Sequence, residues 1–212
     1  DVIRMKRCVI VGGAEIRTYE RVRSYFRPDD FFIYCDCGLR HQAGLEREPD
    51  LIIGDFDSHE KPETDRETIV LPVKKDDTDT VYAAKEALRR GFDDFLLVGV
   101  SGGRLDHTLA NLQNAANAAV QGASVTILDE GSEISFLTHG TLRLKKRPGW
   151  GLSVFSLSDA STGVCLRGVK YELENAALDN RFPLGVSNEF DAPEAEITVE
   201  QGVLMVMQTK KQ

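Results

Sequence analysis

The feature that most limits the possible folds is an alternation of short apolar runs with helical stretches, which continues up to Glu130. Such runs are typical of buried parallel strands, and the stretches between them are typical of covering helices. We predict strands in Arg7–Val11, Phe31–Cys35, Leu51–Ile53, Ile69–Val73, Phe95–Val100 and Val125–Leu128. We predict helices over Glu15–Phe26, Thr78–Arg90 and Arg104–Gln121. The pattern therefore predicts an α/β fold with an open, mostly parallel sheet and flanking helices.

After about Gly131 the pattern changes to short, often alternating segments separated by Gly, Pro, Asn and Asp, with no convincing helix among them. We predict strands in Ile134–Thr138, Thr141–Lys145, Leu152–Leu157, Val164–Leu166, Glu196–Val199 and Val203–Gln208. Short strands of this kind indicate an all-β sandwich. We therefore predict two domains, an α/β domain over residues 1–132 and a C-terminal β-sandwich domain over residues 133–212.

The charge of the chain excludes some classes of partner. Its 26 basic and 34 acidic residues give a net charge of −8, which disfavours binding to nucleic acid. The whole excess lies before Phe136, because basic and acidic residues are equal in number after it. No apolar run approaches the roughly 18–20 residues of a membrane helix, and no signal peptide opens the chain. The four cysteines form no disulfide framework, so we expect reduced thiols and a cytoplasmic protein.

The strongest local signal is a pair of carboxylates directly after a predicted buried strand, Asp55 and Asp57. In open α/β sheets ligands bind at the carboxyl ends of the strands. Two such charges about 5 Å apart repel by roughly 3 kcal/mol at an effective dielectric constant near 20, and a divalent cation removes that repulsion. Mg²⁺ prefers hard carboxylate oxygens and keeps positions for water and phosphate. The alternative is a solvated turn, since Asp is common in turns.

A second acidic cluster, Asp76, Asp77 and Asp79, lies where the fourth strand leads into a helix, and Lys74 and Lys75 stand beside it. A helix N-cap needs only one or two such side chains. Three carboxylates with two lysines exceed that need. They indicate a metal together with a polyphosphate, with a simple cap as the alternative.

Glycines follow two predicted strands, as Gly12-Gly13 after the first and Gly102-Gly103 after the fifth. Glycine lets the backbone approach a ligand closely, and the helix after Gly103 presents an N-terminus that favours anions. Arg104 can hold a phosphate with two hydrogen bonds. Asp106 either faces a metal or interacts favourably with the helix dipole. The spacing is that of neither a Walker A loop nor a dinucleotide-binding fingerprint.

Five segments, taken in order, resemble the motifs of the thiamine pyrophosphokinase family over nearly the whole chain. They are Pro49–Ser58, Asp76–Asp79, Gly102–His107, Gly168–Tyr171 and Val186–Glu189. The resemblance implies a nucleotide-binding α/β domain followed by a β-sandwich, in a homodimer whose active site is shared between the subunits. Asp36 and Gly38 also match a family motif, whereas Cys37 replaces a glycine of that motif.

The resemblance implies transfer of pyrophosphate from ATP to the hydroxyl of thiamine, giving thiamine diphosphate and AMP. It implies that Mg²⁺ is held by Asp55, Asp57 and Asp76. Either Asp79 or Asp106 completes the metal shell or accepts the hydroxyl proton, and Arg104 neutralises phosphate charge. Further nucleotide contacts are implied for Gly12, Gly13, Asp36, Gly38, Lys75 and Gly103. Thiamine contacts are implied for Tyr171, Ser187 and Asn188, and an ordinary strand aromatic is the alternative for Tyr171.

Two other functions are compatible with parts of the pattern. An apolar strand ending in Asp55-Phe56-Asp57 is similar to the nucleophile loop of a phosphatase of the haloacid dehalogenase type. The later lysine and acidic signature of that family is missing. A non-catalytic sensor of nucleotide or thiamine would use the same pockets, although pure binding would need fewer carboxylates near a polyanion.

Overall fold

The computed structural model describes residues 6–57, 60–73 and 78–211 of the 212-residue chain. The chain divides into two compact units. The first comprises Asp1–Ala118 and Gly122–Glu130, and the second comprises Ala119–Gln121 and Gly131–Gln212. Among the described residues, no helix has the length and apolar character needed to cross a membrane.

The first unit is built on a parallel sheet. Its strands are β1 (Arg7–Val11), β2 (Phe31–Cys35), β3 (Leu51–Gly54), β4 (Glu67–Val70), β5 (Asp94–Val98) and β6 (Ser124–Leu128). They lie in the order β6-β5-β1-β2-β3-β4, and every neighbouring pair is parallel. All residues of β1 are buried, as expected for a strand with neighbours on both sides. The predicted open parallel sheet is confirmed.

Helices connect these strands. They are α1 (Tyr19–Arg23), a 3₁₀ helix (Asp36–His41), α2 (Gln42–Leu45), α3 (Asp79–Arg89) and α4 (Leu105–Val120). The predicted helix over Glu15–Phe26 forms only as α1. Before α1, the Glu130 carboxylate accepts hydrogen bonds from the backbone amides of Arg17 and Thr18, so these residues join a loop contact instead of a helical turn. After α1, the amides of Tyr25 and Phe26 donate to the carbonyls of Val22 and Arg23, three residues back, so the α-helical hydrogen bonding does not continue.

The fourth strand is displaced from its predicted position. We predicted Ile69–Val73, and β4 covers Glu67–Val70. The register explains the difference, because Val70 pairs with Gly54, the last residue of β3, and no β3 partner remains beyond it. β4 is the last strand in the order of the parallel sheet, and Val70 and Val73 are 54% and 63% exposed.

From Gly131 onward, the described residues of the second unit form strands and turns. The strands are β7 (Ser132–Leu137), β8 (Gly140–Lys145), β9 (Trp150–Ser156), β10 (Ser161–Arg167), β11 (Leu173–Leu178), β12 (Gly185–Asn188), β13 (Glu194–Val199) and β14 (Leu204–Lys210). Four lie in the order β12-β9-β14-β7 and four in the order β11-β10-β13-β8, with antiparallel pairs. Leu152 and Val206 of one set pack in a common core with Val164 and Ile197 of the other, which confirms the predicted sandwich.

Two strands of the sandwich were not predicted, β11 and β12. β11 has the sequence LENAAL, in which polar and small residues hide the alternation expected of a half-buried strand. β12 has only four residues and a register shift against β9, and its Ser187 has a φ of 59°. A short, irregular edge strand gives little periodic signal.

The loops at the carboxyl edge of the parallel sheet touch one another backbone to backbone. A Cβ atom on Gly38 would lie 2.2 Å from the carbonyl oxygen of Val11, and one on Gly12 would lie 2.5 Å from that of Gly99. The Gly12 amide also donates to the carbonyl of Val98. Gly12 and Gly38 therefore let the chain segments that follow β1, β2 and β5 lie side by side.

We expect Gly38→Ala to lower the free energy of unfolding by about 2 kcal/mol, because the new methyl group must displace a backbone carbonyl. Gly131→Ala is the matched control, since a Cβ atom there meets nothing within 4 Å. Urea unfolding followed by circular dichroism measures both. Equal stability of the two variants would contradict the close approach of these loops.

Candidate active site

Three carboxylates from three different segments meet at the carboxyl edge of the first unit. Single ligand atoms of Asp36, Asp55 and Asp79 all lie within 4.8 Å of one another, with Asp36 buried and the other two half-buried. Three negative charges this close repel one another strongly. A hard divalent cation binds such oxygens and removes the repulsion, so the three residues suit a site for Mg²⁺. We call them the carboxylate triad.

The fold holds each member of the triad in place. Asp36 opens the 3₁₀ helix after β2, and its Cβ atom is so close to β3 that a Cβ atom on Gly54 would lie 2.5 Å from it. Asp79 is the first residue of α3, whose N-cap Thr78 accepts a hydrogen bond from the amide of Val81 at 3.3 Å. Thus Asp36, at the end of β2, and Asp79, at the capped start of α3, both lie close to Asp55, which directly follows β3.

The thiol of Cys35 lies beside the triad. Burial and, after it, the negative charge of Asp79 raise its pKa to about 12. A hydrogen bond with the Thr80 side chain acts in the opposite direction. Cys35 is therefore a neutral packing group and does not add a fourth negative charge to the triad at neutral pH.

Only part of the predicted metal set lies in the triad. Asp55 and Asp79 belong to it. Asp57 is exposed and lies outside it, and Phe56, between Asp55 and Asp57, has a φ of 53°, which interrupts an extended backbone. The Asp57 amide instead donates to Asp55 Oδ1 at 3.3 Å. Two predicted site residues, Lys75 and Asp76, lie outside the described residues.

The triad and its supporting segments form one wall of the candidate site, and the segment that follows β5 forms a second wall. The Ala14 amide donates to the carbonyl of Gly99 at 2.8 Å, and Asn111 Nδ2 of α4 donates to the carbonyl of Val100 at 2.7 Å. Gly102 and Gly103 have φ angles of 93° and 69°, and Cβ atoms on them would meet nothing within 4 Å. Their backbone is therefore open to a ligand, as predicted for Gly103.

Arg104 and Asp106 form an ion pair at the start of α4. Arg104 Nη2 lies 2.6 Å from Asp106 Oδ2, and Nε lies 3.2 Å from Oδ1. The guanidinium group lowers the pKa of the exposed Asp106 carboxyl. Asp106 thus orients Arg104 and lies outside the triad. The sequence left open whether Asp79 or Asp106 completes the metal shell, and in the structure only Asp79 lies with the other triad carboxylates.

The two walls enclose a crevice of about 480 Å³. Gly13, Asp79, Gly103 and Arg104 are among the residues that line it. Its lining combines a carboxylate of the triad, exposed glycine backbone and guanidinium groups. This combination can hold a metal ion and the phosphates bound to it.

Sequence reasoning missed three residues of this region. Arg40, on the 3₁₀ helix, adds a second guanidinium group to the crevice, and Asn111 holds the wall after β5. Asn114, one turn later, donates to the carbonyl of Thr80 at 3.3 Å and so links α4 to α3. Two asparagines three positions apart on an alanine-rich helix are a sequence signal that could have indicated this face of α4. Arg40 carried no such signal.

In the second unit, Asn188 is hydrogen-bonded to the backbone of Tyr171. Its side chain is only 3% exposed. Oδ1 accepts hydrogen bonds from the amides of Tyr171 and Glu189 at 3.0 and 2.9 Å, and Nδ2 donates to the carbonyl of Tyr171 at 2.8 Å. These bonds use Oδ1 and one of the two hydrogens of Nδ2. Asn188 therefore holds the backbone of Tyr171, and its predicted contact to thiamine stays a prediction.

The side chains of Tyr171 and Ser187 are exposed to solvent. The Tyr171 ring is 61% exposed, and the Lys170 ammonium lies 5.5 Å from its centroid. Ser187 is exposed, and its amide donates to Ser153 Oγ at 3.0 Å. Tyr171 is thus not a core aromatic, which removes the alternative given above. An aromatic face and a hydroxyl group are presented on the same unit.

Comparison with known proteins gives two matching family models. "Thiamin pyrophosphokinase, catalytic domain" matches residues 22–127, and "Thiamin pyrophosphokinase, vitamin B1 binding domain" matches residues 139–204. A thiamine pyrophosphokinase of Bacillus subtilis is 25% identical, over 97% of this chain and 99% of that protein. The crystal structure of thiamine pyrophosphokinase from Bacillus subtilis has a TM-score of 0.86 at 23% identity and covers 98% of this chain and 100% of its own, which shows the fold. The structure of an Enterococcus faecalis family protein has a TM-score of 0.78 at 28% identity, with 98% and 100% covered.

We expect Asn188→Ala to destabilise the second unit by about 2 kcal/mol, because buried backbone groups lose their partner. The single tryptophan, Trp150, begins β9, so its fluorescence in urea reports the unfolding of this unit. Asn180→Ala is the control, since Asn180 is exposed and donates one long bond to Asp159. An unfolding midpoint for Asn188→Ala equal to that of the control would show that the three bonds contribute nothing.

Proposed function

Because the chain belongs to the thiamin pyrophosphokinase family, and is thus a thiamine diphosphokinase that transfers pyrophosphate from ATP to thiamine, we propose a division of this reaction between its two units. In this proposal the α/β domain predicted over residues 1–132, which contains the first unit, binds ATP with Mg²⁺ and carries the catalytic residues. The β-sandwich, residues 133–212, binds thiamine and forms the dimer. The family gives no support to a haloacid dehalogenase-type phosphatase or to a non-catalytic sensor.

The carboxylate triad supports the Mg²⁺ assignment, and it is the single observation that carries the proposal. Asp36, Asp55 and Asp79 offer hard oxygens within 4.8 Å of one another, which suits a cation that also needs room for water and phosphate. When bound, Mg²⁺ neutralises the charge of the triphosphate. We assign Asp79 to the metal shell with Asp55, and we add Asp36 in place of Asp57. The role predicted for Asp76 stays a prediction.

The guanidinium groups of Arg40 and Arg104 act on the phosphates. Both line the crevice, where their positive charge compensates that of the transferred group and of the AMP that leaves. Asp106 holds Arg104 by two hydrogen bonds and so limits the directions that the guanidinium group can take. The thiamine hydroxyl attacks the β-phosphorus, and the bond between the α- and β-phosphates breaks.

Little base catalysis is needed for this step. The transition state of phosphoryl transfer is loose, so positioning and charge neutralisation supply most of the rate enhancement. Asp106 is a poor proton acceptor, because Arg104 lowers its pKa. Asp79 is committed to the triad. Exposed Gly102 and Gly103 supply backbone close to the phosphates, while Gly12 and Gly38 contribute by letting the loops pack.

Tyr171 and Ser187 are the proposed contacts for thiamine. The cationic thiazolium ring stacks favourably on an exposed aromatic face, and the Ser187 hydroxyl can hydrogen-bond a ring substituent. One face of Tyr171 already lies near Lys170, so thiamine uses the other face or displaces the ammonium group. Asn188 acts behind them by holding the Tyr171 backbone.

The active enzyme is a homodimer in this proposal, and the second unit of one chain completes the site of the other. Exposed apolar side chains on the second unit, Phe182 and Leu184 among them, support burial against a second chain. We also propose that the enzyme works in the cytoplasm. Its four cysteines are free, which agrees with a reducing compartment.

The function is tested by product analysis with ATP, Mg²⁺ and thiamine. We expect AMP and thiamine diphosphate in equal amounts. Asp55→Asn should lose more than about 100-fold in kcat, a larger loss than outer-shell partners of a metal usually cause. In the wild type, Mg²⁺ should raise the melting temperature, and in Asp55→Asn it should not.

Asp65→Asn is the control for this test, because Asp65 is exposed and outside the crevice. Its activity and its response to Mg²⁺ should match the wild type. Formation of ADP and thiamine monophosphate would contradict pyrophosphate transfer. Near-normal activity of a folded Asp55→Asn variant would contradict the metal assignment alone.

The shared site is tested by mixing two defective variants, Asp55→Asn and Tyr171→Ala, after unfolding and refolding them together. Random pairing makes about half of the dimers mixed, and each mixed dimer has one intact composite site, so about a quarter of all sites should work. A mixture of Asp55→Asn with Asp36→Asn should recover nothing, because both lesions lie in the first unit. No recovery in confirmed mixed dimers of the first pair would rule out the shared site.

A further inference from the structure

His41 is a buried polar residue that the reaction described above does not use. It ends the 3₁₀ helix that Asp36 begins, and it is 4% exposed. Both ring nitrogens have partners in other segments. Nε2 lies 2.8 Å from the carbonyl oxygen of Ala14, and Nδ1 lies 2.8 Å from the hydroxyl of Tyr19.

These partners define the protonation of the ring. A carbonyl oxygen only accepts, so Nε2 carries the hydrogen and Nδ1 accepts from the Tyr19 hydroxyl. Burial lowers the pKa of His41, and the positive charge of Arg40 lowers it further, against the effect of the Ala14 carbonyl. His41 is thus a neutral imidazole that uses both nitrogens at once in a single tautomer.

The position of Tyr19 is also closely defined. A Cβ atom on Gly44 would lie 2.5 Å from the ring of Tyr19, so the ring packs flat against the backbone of α2. The ring of Tyr19 lies 5.8 Å from that of His41. Helix α1, helix α2 and the 3₁₀ helix therefore meet at this pair of rings.

The group that His41 holds belongs to the crevice. Ala14 lines it together with Gly13 and Glu15, in the loop that follows β1. On its other side the Ala14 amide donates to the carbonyl of Gly99, in the wall that follows β5. Ala14 is thus fixed between the wall that carries Arg104 and the 3₁₀ helix that carries Asp36.

We propose that His41 is a positioning residue for the nucleotide: through Ala14 it holds the Gly13–Glu15 loop against the 3₁₀ helix and so sets the separation between the crevice wall and the carboxylate triad. The proposal rests on the function proposed above, because its nucleotide is ATP. His41 touches no substrate in it. Its effect is on the shape of the ATP site, before any chemistry takes place.

The test compares substitutions that keep or remove the bond to Ala14. Glutamine places an amide nitrogen near the position of Nε2, whereas asparagine is too short and leucine has no donor. We expect His41→Asn and His41→Leu to raise KM for ATP by about tenfold, because each variant loses the hydrogen bond that holds Ala14. The kcat value and the KM for thiamine should stay near those of the wild type. His41→Gln should restore most of the ATP affinity. Equilibrium titration with ATP in the absence of thiamine should show the same order.

His139→Gln is the control, since His139 is an exposed histidine of the second unit. Tyr19→Phe keeps the ring and removes only the donor to Nδ1, so it reports on the same network if His41→Leu fails to fold. Unchanged KM for ATP in folded His41→Asn and Tyr19→Phe would overturn the proposal. A loss of kcat alone, which reduced stability would cause, would overturn it as well. A wild type that makes no AMP from ATP and thiamine would instead refute the proposed function.

Discussion

The first unit depends on backbone-to-backbone contact between the loops at the carboxyl edge of its parallel sheet. Gly12 lies against Gly99, and Gly38 lies against Val11, at distances that no side chain fits. These contacts bring the segments after β1, β2 and β5 into one layer. Hydrogen bonds from the Gly12 and Ala14 amides to the carbonyls of Val98 and Gly99 hold the segments after β1 and β5 together. Among the described candidates, Asp36 and Gly103 belong to this layer, in the segments after β2 and β5.

The triad places a destabilising charge cluster on that rigid support. Asp36 is buried, and like charges at such distances repel by a few kcal/mol per pair at an effective dielectric constant near 20. The neutral thiol of Cys35 and the capped start of α3 keep the cluster from becoming still less favourable. The repulsion lowers the stability of the first unit at this edge, and under the proposed function the binding of a cation there offsets that loss. This is the usual relation between a preorganised site and its ligand.

The fold was predictable because its apolar runs are long and regular, as β1, β2 and β5 show. The failures have physical reasons: β4 ends where its partner β3 ends, and β12 is short and irregular. For the site, the sequence indicated Asp55 and Asp79 from their places after a strand and before a helix. The positive φ of Phe56, next to which Asp57 lies outside the triad, depends on tertiary packing and leaves no signal in the sequence. The engagement of Asn188 and the position of Arg40 also depend on contacts with residues distant in sequence.

The order of the strands affects when this site can exist during synthesis. β1 is made first, yet it lies between β2 and β5, with Arg7 paired to Asp94. The ribosome adds about 5–20 residues per second, so β1 waits for seconds with one edge unpaired until β5 emerges. The loop after β1 has no Gly99 to contact during that time. The edge that carries the proposed phosphate site is thus completed late, and a nascent chain passes through a period in which an apolar strand edge is open to other partners.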